Sequence, residues 1–500
     1  MEVALILCPE WDSSHPIYSL ALLTTQLKLR GHSTTIYDLN KAVSLIEDRL
    51  KTGFFYYPPQ PLNPWVEEDF VRDHGWPAHQ GYFESVVDSI LSNGARIAAF
   101  STYFSNVPTT LRLARFIKRR APEVLTVLGG PDCMIYENAL RYVREEGVDV
   151  VVYGEADISF PNLVDVFSRR GEVQAAPGIL LHDEPATWRR GQVPPSNLDD
   201  LPFADYSGYR LSLYGAKVVH TCRGCVRQCA YCSDWRPMTF RYMSGKRVFR
   251  EIAHQLEAHP DITRFHFGDS LLNPSVPDMR SLCDSLKEYG RPLNLYGYAI
   301  VRPDMTLDLL VRMREAGFRS FLYGVDSGSK RVLRDMRKNV PPETSAAVLR
   351  DTARAGIQSF VGWMVGFPTE SDEEFRESLE FLRRNASGIT RLYIVFTTTH
   401  VMQGPEASGE YNLEPCDSIW FWRRKDGSND FPLRVVRARE TVRVCSEYGI
   451  RFTLDGSGED LTVQEADEYF ERRLEDYRRW LSRRGGFCGA LDGAVSRGGA

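Results

Sequence analysis

Residues 2–8 (Glu-Val-Ala-Leu-Ile-Leu-Cys) form a short apolar run, and a polar loop separates them from helical periodicity over 17–30. Gly31 ends that helix, and 33–37 restarts a strand. The same alternation predicts a helix near 82–93, a strand over 96–101, a helix over 108–120 and a strand over 123–128. A helix over 135–145 and a strand over 148–153 complete it. Apolar runs alternating with amphipathic helices predict an α/β domain over 1–172, its parallel sheet covered on both faces. Ligands of such sheets sit beyond the carboxyl ends of the strands.

Residues 173–213 carry prolines, aspartates and turn residues, including Asn197-Leu-Asp-Asp-Leu-Pro202, and read as an extended linker. The strand–helix rhythm then resumes. Strands are predicted over 216–222, 263–268, 293–299, 318–324, 357–365 and 390–396, with helices over 245–258, 276–289, 306–316, 342–355 and 371–385 between them. Over 214–400 this makes a second parallel α/β domain with its chemistry at the strand ends. Residues 401–500 read as mostly helical, with helices near 433–448 and 463–483 and a mobile tail from Gly485. Residues 41–80 interrupt the first domain with Phe54-Phe-Tyr-Tyr57-Pro-Pro59, Trp65 and Trp76. Such an insertion is either a lid or an ordinary packed element.

Composition narrows the class. A net charge of −5 over 500 residues argues against a nucleic-acid surface. The first residues lack the basic stretch of a signal peptide, and no apolar run is long enough to span a bilayer. With ten cysteines, these features predict a reducing, cytoplasmic setting.

Four of those cysteines fall together, in Cys222-Arg-Gly-Cys225-Val-Arg-Gln-Cys229-Ala-Tyr-Cys232. Sulfur-rich sets select iron–sulfur clusters or zinc over hard cations. Three readings stand side by side. The cysteines are buried or disulfide-bonded; or all four close a structural zinc site, although such sites usually set their CxxC pairs roughly a dozen or more residues apart. In the third, Cys225, Cys229 and Cys232 hold a [4Fe–4S] cluster that keeps one iron open.

The spacing C-x3-C-x-aromatic-C resembles the signature of radical S-adenosylmethionine (SAM) enzymes. That resemblance implies a partial (βα)6 TIM-type barrel over 214–400. It also implies a cluster on Cys225, Cys229 and Cys232 whose open iron chelates SAM and whose reduction yields a 5′-deoxyadenosyl radical. Cys222 departs from the signature as one cysteine more than it needs. Carried along the barrel, the resemblance implies SAM contacts from Tyr231, from Asp269, Ser270 and Asn273, and from Arg302. It adds Asp326 and Ser327, where the family usually has glutamate before the serine, and Val365 and Gly366 of a Gly-Phe-Pro turn.

Ahead of the barrel, Ser101-Thr-Tyr103 with Asn106, Gly129-Gly130-Pro131 and Gly154-Glu155 resemble a Rossmann-like (flavodoxin-like) cobalamin-binding domain, implying cobalamin contacts at those residues. The D-x-H-x-x-G motif of a cobalt-ligating histidine does not occur. Asp12-Ser-Ser-His15 has another spacing, so His15 is expected to be a loop histidine.

Together the two resemblances imply a cobalamin-dependent radical SAM methyltransferase acting through methylcobalamin on an unactivated carbon or phosphorus centre of a natural-product or cofactor precursor. Cyclisation, rearrangement or ring contraction is the alternative, and a non-catalytic metal-binding module a third. A small-molecule or peptide substrate, an external reductant such as flavodoxin or ferredoxin, and a monomer or homodimer are expected. Cys488 is expected to be a spectator.

Overall fold

The computed structural model describes residues 1–47, 64–182, 191, 193–232, 238–396, 409–414, 416, 418, 420–455 and 460–483. Phe54–Pro59, Thr397–His400 and Cys488 lie outside them.

The first sheet contains β1 (Glu2–Leu7), β2 (Ser33–Asp38), β3 (Ala95–Ser101), β4 (Leu125–Gly129), β5 (Val150–Val152) and β6 (Ile179–Leu181). Their order is β2-β1-β3-β4-β5-β6, parallel except for the β5–β6 pair. The apolar run at the start of the chain has a direct cause. Val3, Leu5 and Leu7 pack on one face with the helix Tyr18–Leu29, while Ala4, Ile6 and Cys8 pack on the other with the helices Trp76–Ser92 and Val107–Arg120. A strand buried on both sides has no polar alternation. The described part of the insertion is packed: Trp65 is buried and Trp76 stacks on Phe83.

The second domain is built on β7 (Lys217–Val219), a small antiparallel pair β8 (Cys222–Arg223) and β9 (Arg241–Tyr242), then β10 (Arg264–Phe267), β11 (Asn294–Ala299), β12 (Phe318–Asp326), β13 (Gln358–Met364), β14 (Arg391–Val395) and β15 (Arg451–Leu454). Its parallel sheet runs β7-β10-β11-β12-β13-β14-β15. All six expected strands are present. Hydroxyl and carboxylate caps mark helix starts here, as Ser244 does for Gly245–Ala258 and Asp430 for Phe431–Glu447.

The structure changes three expectations. Ile179–Leu181, read as linker, is an antiparallel edge strand on β5. Arg451–Leu454, in the region read as mostly helical, adds a seventh strand beside β14. The first barrel strand stops at Val219 rather than 222, because Asp269 takes the next N–H groups and turns the chain into β8.

The domains share one core. Leu201, Ala204, Tyr206 and Tyr209 of the connector join the apolar face of β1 to Val218 and Phe265 of the barrel. Tyr206 donates its hydroxyl to the Val218 carbonyl at 2.7 Å. Among the described residues no helix is long and apolar enough to cross a membrane.

Candidate functional site

The strand order reverses between β1 and β3, and the loops after these strands open a crevice there. Trp11, after β1, stacks on Tyr103, after β3, with ring centroids 3.7 Å apart. Asn106 does not face the crevice. It is buried, accepts the Tyr103 N–H at 2.9 Å and donates to the Ser101 and Cys8 carbonyls, holding the loop that presents Tyr103. Gly129 at the end of β4, Gly130 and Pro131 after it and Gly154 after β5 complete the rim. At Gly130 the chain passes so close to Thr102 that a β-carbon would meet the Thr102 backbone nitrogen at 2.7 Å.

That crevice continues into a cavity of about 380 Å³ that reaches the barrel. Its far wall is His220, Cys222, Gly268, Asp269, Ser270 and Tyr298. The loop after β1 seals one side. Tyr18 stacks on His220 at 4.2 Å, and burial lowers the His220 imidazole to about 3, so it stays neutral. His15 faces Asp12 Oδ2 through Nδ1 and the Tyr296 hydroxyl through Nε2, each at 2.9 Å. His15 thus has one ring nitrogen held within its own loop and the other reaching the barrel.

The cysteine loop leaves the cavity wall at Cys222. Cys222 is buried and donates its thiol to the Leu271 carbonyl at 3.2 Å; burial and the Asp269 charge push that thiol well above its ordinary value. Burial raises the Cys229 thiol as well, so the Leu271 hydrogen bond and a place outside the C-x3-C-x2-C spacing, not titration, set Cys222 apart. Cys225 and Cys232 are half-buried and Cys229 is buried. Among the described residues no three Cys, His, Asp or Glu side chains gather around a single-ion centre. The donor set along the loop is three soft sulfurs, which suits an iron–sulfur cluster.

Asp269 Oδ2 accepts the Thr221 hydroxyl at 2.6 Å, the Cys222 N–H at 2.8 Å and the Thr221 N–H. Its Oδ1 is buried and has no hydrogen-bond partner among the described residues. Such an atom suits a bound ammonium.

A second group gathers beyond the loop. Tyr231 packs with Met364 and Phe367 and donates its hydroxyl to Asp326 Oδ2. Lys338 donates to the same oxygen and to the Tyr231 hydroxyl at 3.1 Å. Asp326 sits at φ +68°. Ser327 is buried against Ser378, with hydroxyls 3.0 Å apart, and the Gly366 N–H donates to Glu370 Oε2 at 2.9 Å beside buried Val365. The structure thus joins Tyr231 to Asp326, packs it with Met364 and Phe367 on either side of Val365 and Gly366 in the chain, and ties Asp269 to the start of the cysteine loop.

Other expected contact residues have protein partners of their own. Arg302 grips Asp304 through Nε at 2.6 Å and Nη2 at 2.7 Å, and Asn273 fastens the backbone of Ile300. Glu155 is paired with Arg223 and Arg241. Lys338, Arg223 and Arg241 carry no motif signal, and only their partners reveal them.

Residues 67–164 match the B12 binding domain, and residues 219–382 match the Radical SAM superfamily. An uncharacterised methyltransferase of Pyrococcus horikoshii is 26% identical over 54% of this chain and 60% of its own length. The hopanoid C-3 methylase of Methylococcus capsulatus is 30% identical over 31% of this chain and 32% of its own. The chain therefore spans less than two thirds of each of these relatives. The solved structure of OxsB, a cobalamin-dependent S-adenosylmethionine radical enzyme with aqua-cobalamin and S-adenosylmethionine bound, matches in fold. Its TM-score is 0.62 at 15% identity, over 82% of this chain and 54% of that one. The two domain matches, a B12 binding domain followed by a domain of the Radical SAM superfamily, make the chain a member of the radical SAM enzymes that carry a B12-binding domain.

Proposed function

We propose that this chain is a methyltransferase acting on an unactivated carbon or phosphorus centre of a natural-product or cofactor precursor. The observation that carries this reading is the cavity shared by Ser101, Gly129 and Gly154 of one domain and Cys222, Asp269 and Ser270 of the other. It supports two cofactors facing one substrate. When bound, the cluster and SAM would supply a radical that takes a hydrogen atom, and cobalamin would supply a methyl group.

The share of the residues is placement and exclusion of water. Cys225, Cys229 and Cys232 would hold the cluster, Asp269 and Ser270 the amino end of SAM, and Tyr231, Asp326, Ser327, Val365 and Gly366 its remainder. Ser101, Tyr103, Gly129, Gly130, Pro131 and Gly154 would border cobalamin. An external reductant such as flavodoxin or ferredoxin would deliver the electron.

The test is anaerobic reconstitution with iron, sulfide and cobalamin, then incubation with SAM, a reductant and candidate substrates under mass spectrometry. S-Adenosylhomocysteine, 5′-deoxyadenosine and a product heavier by one methyl group are expected. 5′-Deoxyadenosine alone would point to cyclisation, rearrangement or ring contraction. A chain that takes up no cobalamin ends the methyl-transfer reading.

A further inference from the structure

The stem of the cysteine loop is fastened to the other domain. β8 and β9 pair with Cys222 opposite Tyr242 and Arg223 opposite Arg241, so the two arginines flank the loop at its base. Both reach carboxylates just beyond β5: Arg223 binds Glu155 and Asp157, and Arg241 shares Glu155. Arg223 Nη1 donates to Glu155 Oε2 at 2.6 Å and to Asp157 Oδ2 at 2.5 Å, and its Nη2 donates to Asp157 Oδ1 at 2.9 Å. Arg241 Nη2 donates to Glu155 Oε1, and its Nη1 donates to the Pro195 carbonyl of the connector at 2.5 Å.

The side chains of Glu155 and Asp157 are 5% and 7% exposed, and those of both arginines 14%. Burial alone would raise the Asp157 carboxyl, but the charge and hydrogen bonds of Arg223 outweigh it and hold the group below its ordinary value. Buried charges are costly unless their geometry is good, and here every carboxylate oxygen has a guanidinium donor. The exposed Lys28–Asp205 pair, which ties the first helix to the connector, has no such constraint.

Placement decides what this network does. Charges that only glued the domains together could sit anywhere along the interface. These sit on the two residues that open and close the cysteine loop, and Arg223 lies between Cys222 and Cys225 in the chain.

We propose that the Arg223, Arg241, Glu155 and Asp157 network is a positioning device by which the N-terminal domain sets the cysteine loop, and hence SAM binding on the barrel. It rests on the family's cluster being held by that loop and is independent of methyl transfer.

The test uses the full chain, cluster-reconstituted, without cobalamin or substrate. The Glu155→Gln/Asp157→Asn double variant keeps the shapes and removes the charges. Expected are iron and sulfide contents near wild type, faster amide exchange across 222–232, and SAM binding weakened about tenfold. Asp205→Asn, which frees Lys28, should change none of these. If the double variant does not fold, Arg223→Lys keeps the charge and loses the two-point grip, and a several-fold weaker SAM affinity is expected. Unchanged SAM affinity and loop exchange in either folded variant overturn the proposal. Because the assay contains no cobalamin, failure of the methyl-transfer reading leaves its outcome intact.

Discussion

Asp269 accepts the backbone N–H of Cys222 at 2.8 Å, so the end of the second barrel strand holds the residue that opens the cysteine loop. One oxygen of the carboxylate does this work, together with Thr221, while the other is buried without a partner among the described residues. Aiming the loop and receiving a cation are thus divided between two atoms of one side chain.

This arrangement makes stability depend on pH. Burial raises the Asp269 carboxyl from the ordinary 3.8 to about 6, against the hydrogen bonds of Thr221 and Cys222. A raised folded value means that the contribution is complete below 3.8 and is lost as pH rises through about 6. Two units correspond to about 3 kcal/mol. Urea unfolding of the chain without cofactors should show Asp269→Asn gaining up to about 3 kcal/mol relative to wild type between pH 4 and pH 7. Parallel pH profiles of the two proteins would contradict this. SAM affinity of the cluster-loaded variant should fall, because the orphan oxygen becomes a neutral group.

The cysteines should separate cleanly. Alanine at Cys225, Cys229 or Cys232 is expected to abolish iron and sulfide incorporation after anaerobic reconstitution. Cys222→Ala should retain both, because its thiol is spent on Leu271 and it lies outside the C-x3-C-x2-C spacing. Its cost should instead be structural, about 1–2 kcal/mol from a lost hydrogen bond and a small void. Equal iron loss from Cys222→Ala would refute the three-ligand assignment.

Lys338 should matter more than its position in the sequence suggests. Its side chain is 11% exposed, that of Asp326 is 10%, and both share Tyr231. Burial and the Asp326 carboxylate push the Tyr231 phenol well up, which keeps it a donor. Lys338→Met leaves a buried carboxylate without its cation and should cost about 3–5 kcal/mol in unfolding measurements. Adding Asp326→Asn should recover part of that loss. A double-mutant cycle with no coupling energy would show that the pair is incidental.

The long elements were legible in the sequence because burial on both faces writes itself as an uninterrupted apolar run, as in Val3–Cys8. β6 and β15 were not, since Ile179–Leu181 and Arg451–Leu454 are too short to show a period and become strands by pairing with an existing edge. In the site, the cysteine spacing is local and could be read directly. The role of a lone basic residue is set by distant partners. Some partners are local and visible in the sequence, as Asp304 is for Arg302. The partners of Glu155, Arg223 and Arg241, lie in the other domain and leave no trace in its own segment.

Gly130 offers a test of the cobalamin rim that the barrel does not share. Its φ is +105°, and a β-carbon would lie 2.7 Å from the Thr102 nitrogen and 2.9 Å from the Thr102 oxygen. Neither atom can yield, because the Thr102 N–H donates to the Gly129 carbonyl at 2.6 Å and the Thr102 carbonyl accepts the Asp132 N–H at 3.1 Å. Gly130→Ala must therefore push the ends of β3 and β4 apart, at about 2–4 kcal/mol. Gly171, at φ +72° with nothing within 4 Å of its β-carbon position, isolates the backbone penalty, so Gly171→Ala should cost only about 1 kcal/mol. The difference between the two is the price of close approach at the crevice. Spectral titration should show cobalamin affinity falling at least about tenfold in Gly130→Ala and unchanged in Gly171→Ala, while SAM affinity of the cluster-loaded protein stays at the wild-type value in both. Equal cobalamin affinity in the two variants would move the cobalamin site away from the β3–β4 rim.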